Sequence, residues 1–232
     1  MATVLNNLGN EYRAQNRMEE ARKAYDEALI IYRQLARESP DGFLPLLASA
    51  LHNIGGFYAV QHQFKDARAA FEEALTIRRD LAQSNRAEHL AGLANTLDSL
   101  GTLYSNLHRS ADARLAYEES LSIGRRLVLV DPETFLPMVA HLLNGLGNLY
   151  SAQHQADPAR AAFSEALGIY RQLAGLNPER YLPDVAGTLN NLGIWLLTKA
   201  CSRRLFDISK KRSVSIVDWS AKIQTATWRV SP

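Results

Sequence analysis

The sequence has almost no cysteine, since Cys201 is the only one in 232 residues. A single thiol cannot form a disulfide within the chain, and it cannot build a cysteine zinc site by itself. We therefore expect a protein of a reducing compartment, the cytoplasm. We expect neither a metal nor a cofactor to be part of the fold.

Long apolar runs are missing too. Although 47% of the residues are hydrophobic, no stretch approaches the roughly 18 uninterrupted apolar residues of a membrane span. Near the start, Asn6, Asn7, Asn10 and Glu11 stand where a signal peptide would carry its apolar segment. The sequence thus indicates a soluble protein for which a membrane is not an expected partner.

The chain as a whole has no large excess of charge of one sign, because its formal net charge is +2. The distribution is uneven: residues 194–232 contain eight Lys or Arg against two Asp and carry +6, which leaves −4 for residues 1–193. A mildly acidic region has no electrostatic reason to bind nucleic acid. Nucleic acid is therefore not an expected partner of residues 1–193.

Signatures of catalysis are also lacking. We find no phosphate-binding glycine loop, no His-Glu-x-x-His motif and no Gly-x-Ser-x-Gly motif. The acidic pairs Glu72-Glu73 and Glu118-Glu119 resemble catalytic carboxylates only in composition, and a solvated helix face explains them. The sequence predicts a protein that is not an enzyme and has no small-molecule substrate.

What the sequence does contain is a repeat. A Leu-x-x-Leu-Gly pattern, with Ile for the second Leu in one copy, recurs with a constant spacing of 46 residues and ends on Gly9, Gly55, Gly101, Gly147 and Gly193. Such a period is typical of a stacked array, in which each unit buries its apolar face against its neighbours. The predicted units are approximately 1–45, 46–91, 92–137 and 138–183, with the start of a fifth at 184–193.

Each unit is predicted to form two helices joined by a tight turn. In the first unit, Leu5, Leu8 and Tyr12 share one face of helix A, and helix B runs from about Met18 to Arg37. The turn between them holds a column of Asn or His, the non-glycine residues most enriched at positive φ: Asn16, His62, His108 and His154. We predict a left-handed turn here, since histidines on successive units would not converge on one metal ion.

Small and aromatic residues recur where helices A and B should meet. The aromatic column consists of Tyr25, Phe71, Tyr117 and Phe163. The repeated glycine of helix A is small enough to let helix B approach closely. Filling the core is the ordinary role of an aromatic stripe at helical spacing, so we predict that these rings are buried.

Proline marks most of the connectors between units. Residues 39–45, 131–137 and 177–183 each contain two prolines, which are predicted to end helix B and to begin the next helix A. The connector at residues 85–91 contains no proline. Because nothing there fixes φ, it is predicted to be the softest joint of the array.

These units resemble the tetratricopeptide repeat family. Leu8-Gly9, Tyr12, Ala21, Tyr25 and Ala28 match its pattern of Leu-Gly, Tyr, Ala, aromatic and Ala, and the resemblance covers residues 1 to about 193. The start of each unit is especially similar to repeats of kinesin light chains and of large bacterial repeat proteins. The usual unit has about 34 residues, so the roughly 12 additional residues here predict longer helices.

The resemblance implies an all-α fold, a right-handed superhelical solenoid of helical hairpins with helices A along its concave wall. It also implies that this groove binds an extended peptide or a partner helix. The groove positions of the family correspond to two columns of this sequence. The first column is Asn6, His52, Asp98, Asn144 and Asn190, and the second is Asn10, Gly56, Thr102 and Asn148.

Two roles are open for these columns. An Asn amide both donates and accepts, so a ladder of them can bind a peptide backbone whatever its side chains are. Alternatively, the Asn residues bond between neighbouring helices A and hold the stack together. Some members of the family clamp a C-terminal carboxylate with lysines, but Arg13 is the only Lys or Arg on the inner part of a helix A here, so that activity is not expected.

The repeat pattern stops at Ile194, and residues 194–232 form an atypical basic tail. All three Trp residues and the only Cys follow this point, and residues 214–219 alternate like a strand. The tail is either a translated frameshift or a genuine segment that caps the last helix, in which case its basic residues are candidates to touch a membrane or nucleic acid. We predict helix to about Arg204 and partial disorder beyond it.

The resulting functional prediction is a non-catalytic scaffold, part of a longer repeat protein, that binds a protein or peptide partner of unknown identity in the groove. One alternative is a structural array whose ends lack polar caps and self-associate end to end. Another is the regulatory repeat region of a larger, truncated signalling protein.

Overall fold

In the computed structural model, which describes residues 1–84 and 86–197, the chain forms nine helices and no strand within those ranges. The helices are α1 (Ala2–Ala14), α2 (Met18–Glu38), α3 (Pro40–Val60), α4 (Phe64–Ala82), α5 (Ala87–Asn106), α6 (Ser110–Val128), α7 (Pro132–Ala152), α8 (Ala156–Leu176) and α9 (178–197). Odd-numbered helices are helices A and even-numbered ones are helices B. Each of α1 to α7 packs on the helix that follows it, which confirms the predicted all-α solenoid.

The turn inside each unit has the predicted left-handed residue. Asn16, His62, His108 and His154 have φ of 59°, 57°, 57° and 59°. In the first unit the amide of Asn16 donates to the Arg13 carbonyl, and the amide of Arg17 donates to the Tyr12 carbonyl at 2.8 Å. These two bonds satisfy carbonyls that the helix end leaves open, and the same pair recurs in the other three turns.

The contact between helices A and B is built as predicted. All four rings of the aromatic column are buried. Each ring lies against the repeated glycine of helix A, so that a Cβ added at Gly55 would come within 2.7 Å of the Phe71 ring. The glycine therefore sets the distance at which helix B packs on helix A.

The connectors between units are shorter than predicted. Helix α2 ends at Glu38 and α3 begins at Pro40, so that Ser39 alone joins them. The second proline of the motif, Pro45, lies inside α3, and Pro137 lies inside α7. The prediction that both prolines belong to a connector is thus wrong for the second one. Its missing N–H leaves only the carbonyl of the exposed Asp41 without its helical partner, where water can replace the bond.

The connector without proline is longer. Helix α4 ends at Ala82 and α5 begins at Ala87, and one residue of this connector, Asn85, lies outside the described residues. The predictions for the tail beyond residue 197 also lie outside them. The additional length of the unit lies in its helices, as predicted, because α2 and α3 have 21 residues each.

Helix α3 is long and apolar enough to cross a membrane by length and composition. Its apolar side chains Leu51, Ile54 and Phe57 are buried in a cluster that includes residues of α2 and α4. The apolar composition of α3 is therefore explained by its packing against α2 on one side and α4 on the other.

Candidate functional site

Helices A form the inner wall of the array. Successive helices A come into backbone contact from α1 to α7, whereas no two helices B do so among α2 to α8. The wider gap between helices B is spanned by long side chains in three ion pairs, Arg33–Glu73, Arg79–Glu119 and Arg125–Glu165, with N–O distances of 2.7–2.8 Å. The stack thus curves toward helices A. Glu73 and Glu119 belong to the acidic pairs that the sequence predicted on a solvated face; they are partly exposed and also link the units.

An open depression of about 430 Å³ lies on this inner wall between α5, α7 and α9. It brings together Thr102, Asn144 and Asn148, which the sequence predicted as groove residues. Its lining also includes His141, Tyr170, Asp184 and Asn191. A second depression of about 320 Å³ continues along α7 and α9 and shares Asn148 and Asn191 with the first.

Residues of the first column bond between neighbouring helices A. The Asn53 amide donates to Asn6 Oδ1 at 3.2 Å, and the Asn144 amide donates to Thr188 Oγ1 at 2.7 Å. His141 Nε2 lies 3.3 Å from a carboxylate oxygen of Asp98. These contacts are of the kind expected if the column holds the stack together.

The same column also has bonding capacity to spare. Three buried side-chain atoms, His52 Nδ1, Asp98 Oδ1 and Asn144 Oδ1, have no hydrogen-bond partner among the described residues. Since buried polar atoms are nearly always paired, an ordered water or a small shift of these side chains would be needed to satisfy them. Because the three atoms have almost no accessible surface, their bonding capacity is not open to a ligand that lies on the wall.

In the second column, the hydrogen bonds that each residue can form depend on the aromatic residue of helix B that packs behind it. Where that residue is Tyr, its hydroxyl occupies the column: Tyr25 Oη donates to Asn10 Oδ1 at 2.7 Å, and Tyr117 Oη lies 3.0 Å from Thr102 Oγ1. Where the ring is Phe, no such bond is possible, and the column holds Gly56 or Asn148. Asn148 is exposed and forms no hydrogen bond with any residue that the structure describes.

The structure places the remaining predicted residues outside this depression. Asn6, Asn10 and His52 lie on α1 and α3, at the other end of the array. Asn190 is exposed on α9 and does not line the depression, whereas its neighbour Asn191 does.

Sequence reasoning missed His141, Asp184 and Asn191. The helical period holds a signal for them, because His141, Asn144 and Asn148 stand at i, i+3 and i+7, and Asp184 and Asn191 stand at i and i+7.

The electrostatic character of the depression is acidic. Among the described residues, no Lys or Arg lines it, while Asp184 lines it and Asp98 lies behind His141. The hydrogen bond to Asp98 raises the pKa of His141 above its ordinary value. Burial, followed by the nearby charge of Asp184, raises the pKa of Tyr170 to about 12. The site thus presents acceptors and neutral hydroxyls, which suit a ligand rich in N–H donors.

His52, at the other end of the first column, is held neutral. Burial lowers its pKa to about 4, and the positive charge of Arg78 acts in the same direction. Its ring lies against Phe71, with 5.5 Å between the ring centroids. Within the described residues, no group of three or more His, Cys, Asp or Glu side chains is arranged to hold a metal ion.

The repeat identified in the sequence also matches known families and structures. One tetratricopeptide repeat model matches residues 1–80 and 46–126, and a second matches residues 139–179. A comparison with curated protein sequences gave no match.

Among solved structures, BtubC (BKLC) from P. vanneervenii is similar with a TM-score of 0.70 and 21% identity, over 98% of this chain and 81% of that one. A putative kinesin light chain from Podosopora anserina, with nearly identical TPR-like repeats, gives a TM-score of 0.58 and 16% identity over 98% and 97% of the two chains. Aspartyl phosphate phosphatase F from Bacillus subtilis gives a TM-score of 0.62 and 13% identity, over 97% of this chain and 55% of that one. The family matches together span more than half of the sequence, and the chain belongs to the tetratricopeptide repeat family.

Proposed function

We propose that the chain is a non-catalytic, cytoplasmic interaction scaffold that holds an extended segment of a protein partner in the depression between α5, α7 and α9. The observation that carries this proposal is the open position of Asn148, an exposed amide without a partner among the described residues. Asn144 lines the depression beside it. The amide of Asn148 offers an acceptor and a donor to a peptide backbone, which presents both along its length.

The partner segment is neutral or basic near the depression. Asp184 lies in the lining and Asp98 lies behind it, and no Lys or Arg in the described part of the lining balances these two carboxylates. An acidic segment would be repelled there, since charges of like sign at an interface oppose binding. A Lys or Arg side chain of the partner would instead be attracted by the exposed carboxylate of Asp184, which lines the depression.

The test uses peptides selected from a random phage-displayed library on the purified chain. Asn148→Ala should weaken a selected peptide about 10-fold, the loss of roughly one good hydrogen bond. Gln172→Ala, an equivalent truncation at an exposed position of α8, is the control and should leave the affinity unchanged. Affinities are measured by isothermal titration calorimetry.

A second measurement separates recognition of the backbone from recognition of side chains. The selected peptide is made with single N-methyl groups at successive backbone amides. Loss of affinity at alternate positions would support backbone recognition in the depression, because each N-methyl group removes one donor. Uniform affinity across the series, with Asn148→Ala binding like wild type, would refute the proposal.

A structural role through self-association is the second candidate, favoured by apolar residues of α1 that remain exposed although their counterparts in later units are buried. Val4 is 65% exposed, whereas the equivalent Ala50 of α3 is 2% exposed. A regulatory role within a longer protein is compatible with either function, since binding a partner segment is how such a region would act.

A further inference from the structure

One buried position of helix B carries a charged residue in one unit and uncharged residues in the others. The column Tyr32, Arg78, Gly124 and Tyr170 recurs every 46 residues, and both tyrosines are buried. Arg78 takes the place of a buried tyrosine and is itself only 9% exposed. One unit thus buries a permanent positive charge at a position where two others bury a neutral ring.

The hydrogen-bond partners of Arg78 among the described residues are all neutral. Its Nη1 donates to the Gly92 carbonyl at 2.6 Å and to Thr96 Oγ1, and its Nη2 lies 3.5 Å from Ser49 Oγ. Arg78 forms no ion pair with any residue in the described ranges. By contrast, the exposed arginine beside it, Arg79, pairs with Glu119 at 2.8 Å.

The joint between the second and third units also leaves room beside the guanidinium. Gly92 stands where other units have Leu46, Met138 and Asp184. A Cβ at Gly92 would already be in contact with Arg78 Nε, at 3.4 Å, and any longer side chain there would crowd the guanidinium. The arginine belongs to the second unit and the glycine opens the third, so the space beside Nε is specific to this joint of the array.

A buried charge without a counter-ion is unfavourable, because its lost hydration is not replaced. Burial lowers the pKa of Arg78 to about 10, so the group is still charged at neutral pH. Among the described residues, three neutral acceptors leave two of its five N–H donors unused, including Nε. An anion is the kind of partner that would offset this charge.

Arg78 lies at the bottom of an open pocket of about 440 Å³ between the start of α3, the end of α4 and the start of α5. Arg86 and His89 line this pocket as well, and so do the carboxylates of Asp41 and Glu88. Glu88 is 69% exposed and lies 3.8 Å from Arg86 and 3.7 Å from His89. Neither carboxylate pairs with Arg78, and the side chain of Glu88 is exposed and free to turn away, so an incoming anion can displace it from the rim.

We propose that this Arg78 pocket binds an oxyanionic group, a carboxylate or a phosphate, with Arg78 as its deep cation and Arg86 and His89 at its rim. A planar guanidinium with free Nε–H and Nη–H donors matches two oxygens of such a group. The proposal does not depend on peptide binding in the depression between α5, α7 and α9, since it involves another joint of the array and other residues.

The experiment compares the melting temperature of the full chain in chloride, in inorganic phosphate and in acetate at matched ionic strength. A ligand that binds only the folded state raises the melting temperature, and about 4 °C is expected at saturating anion. Phosphate and acetate are tested separately. The anion that raises the melting temperature therefore identifies whether the pocket accepts a phosphate or a carboxylate.

The informative variant is Arg78→Tyr, which restores the residue that the same column has at Tyr32 and Tyr170. It should fold, melt at or above the wild-type temperature in chloride, and gain nothing from phosphate or acetate. Arg79→Gln is the matched control, because it removes the neighbouring exposed charge and should keep the full response to the anion. Equal responses of wild type and Arg78→Tyr would overturn the proposal.

A direct measurement keeps the proposal testable even if Arg78→Tyr fails to fold. The Nε–Hε resonance of Arg78 is followed by NMR in the wild-type chain as phosphate and then acetate are added. A saturable shift for either anion, absent for chloride, is the expected result. Linear shifts without saturation for both anions would mean that no site exists.

Discussion

At the scale of single residues, the repeated glycine of helix A decides how closely the two helices of a unit pack. A Cβ at Gly101 would lie 2.8 Å from Tyr117 ring atoms, and the ring is buried and cannot give way freely. We predict that Gly101→Leu lowers the free energy of unfolding by roughly 1–3 kcal/mol, the usual cost of overpacking. Urea denaturation measures the change.

Gly168→Leu is the matched control for this substitution. Gly168 lies in α8, and a Cβ added there would have no neighbouring atom within 4 Å. The same change should therefore keep or raise stability at this position, because leucine favours the helix. Equal losses for the two variants would show that the ring contact does not limit packing.

Two histidines of the inner wall predict opposite responses to pH. His52 has a folded-state pKa of about 4 against an ordinary value of 6.5, so the unfolded chain binds its proton first as the pH falls. Stability is therefore lost between about pH 6.5 and 4, by up to about 3 kcal/mol. His141 has a pKa raised above 6.5 in the folded chain, so its protonated form stabilises the fold. This stabilisation is complete below pH 6.5 and is lost as the pH rises through the raised pKa.

The measurement is the free energy of unfolding between pH 4.5 and 8 for the wild type, His52→Gln and His141→Gln. His52→Gln should flatten the acid limb of the stability curve, and His141→Gln should flatten the limb above pH 6.5. Identical curves for the three proteins would contradict both assignments.

The sequence predicted residue roles well where one local rule decides them. Asn16 and the three turn histidines were found because few residues other than glycine tolerate positive φ. The partner of a polar side chain is harder to predict. Asn10 bonds Tyr25, whereas Asn148 has no hydrogen-bond partner in the described part of the chain. The difference depends on a hydroxyl from another helix, which comes close only when the helices are packed.

At the scale of helices, the joint between α4 and α5 differs from the joint between α6 and α7 in how the second helix begins. Asp131 caps α7 by accepting from the Thr134 amide at 3.1 Å, whereas Arg86 stands at the same place before α5 and provides no side-chain cap. Pro132 follows Asp131 in α7, and Ala87 follows Arg86 in α5. The first amides of α5 are therefore predicted to exchange faster with solvent than those of α7.

Ala87→Pro should reduce this difference. Arg86 has φ −73° and ψ 137°, the extended conformation that a following proline requires, and the first helical position needs no N–H. The substitution should stabilise the chain by about 0.4–1 kcal/mol and slow exchange over residues 88–90. Hydrogen exchange with mass spectrometry makes the comparison; equally slow exchange at the starts of α5 and α7 in the wild type would refute the prediction.

Helix boundaries show why part of the fold was not predictable. Proline is read as a helix breaker, yet Pro45 lies inside α3 because the carbonyl left open belongs to an exposed residue. Packing also decides which face of α9 lines the depression. Asn190 and Asn191 are adjacent in sequence, and only the rotation of α9 against α7 decides that Asn191 faces the site.

At the scale of the whole molecule, curvature follows from the difference between the two kinds of helix. Glycine and other small residues let helices A approach one another and their helices B, while arginine and glutamate side chains span the wider gap on the outer face. The repeat period predicted the array, and the family resemblance implied the groove. The Arg78 pocket was not predicted, since a buried arginine is recognised only from its surroundings.

The exposed apolar residues at the α1 end of the array predict that whole chains associate. Met1, which precedes α1, and Val4 and Leu8 of α1 are 86%, 65% and 37% exposed. The equivalent Leu47, Ala50 and Ile54 of α3 are at most 5% exposed because α2 packs against them. An apolar face of this kind attracts the surface that covers its counterparts, here the outer side of a helix B from a second copy. We predict concentration-dependent association in sedimentation velocity.

The paired variant Val4→Glu, Leu8→Glu should shift the chain to monomers, because two charges on that face oppose burial. Leu115→Glu is the control, since this residue of α6 is 62% exposed and belongs to no such face. The control should associate like the wild type. A wild-type chain that stays monomeric at high concentration, or a control that dissociates as fully as the paired variant, would exclude the structural role and leave the interaction scaffold as the function to pursue.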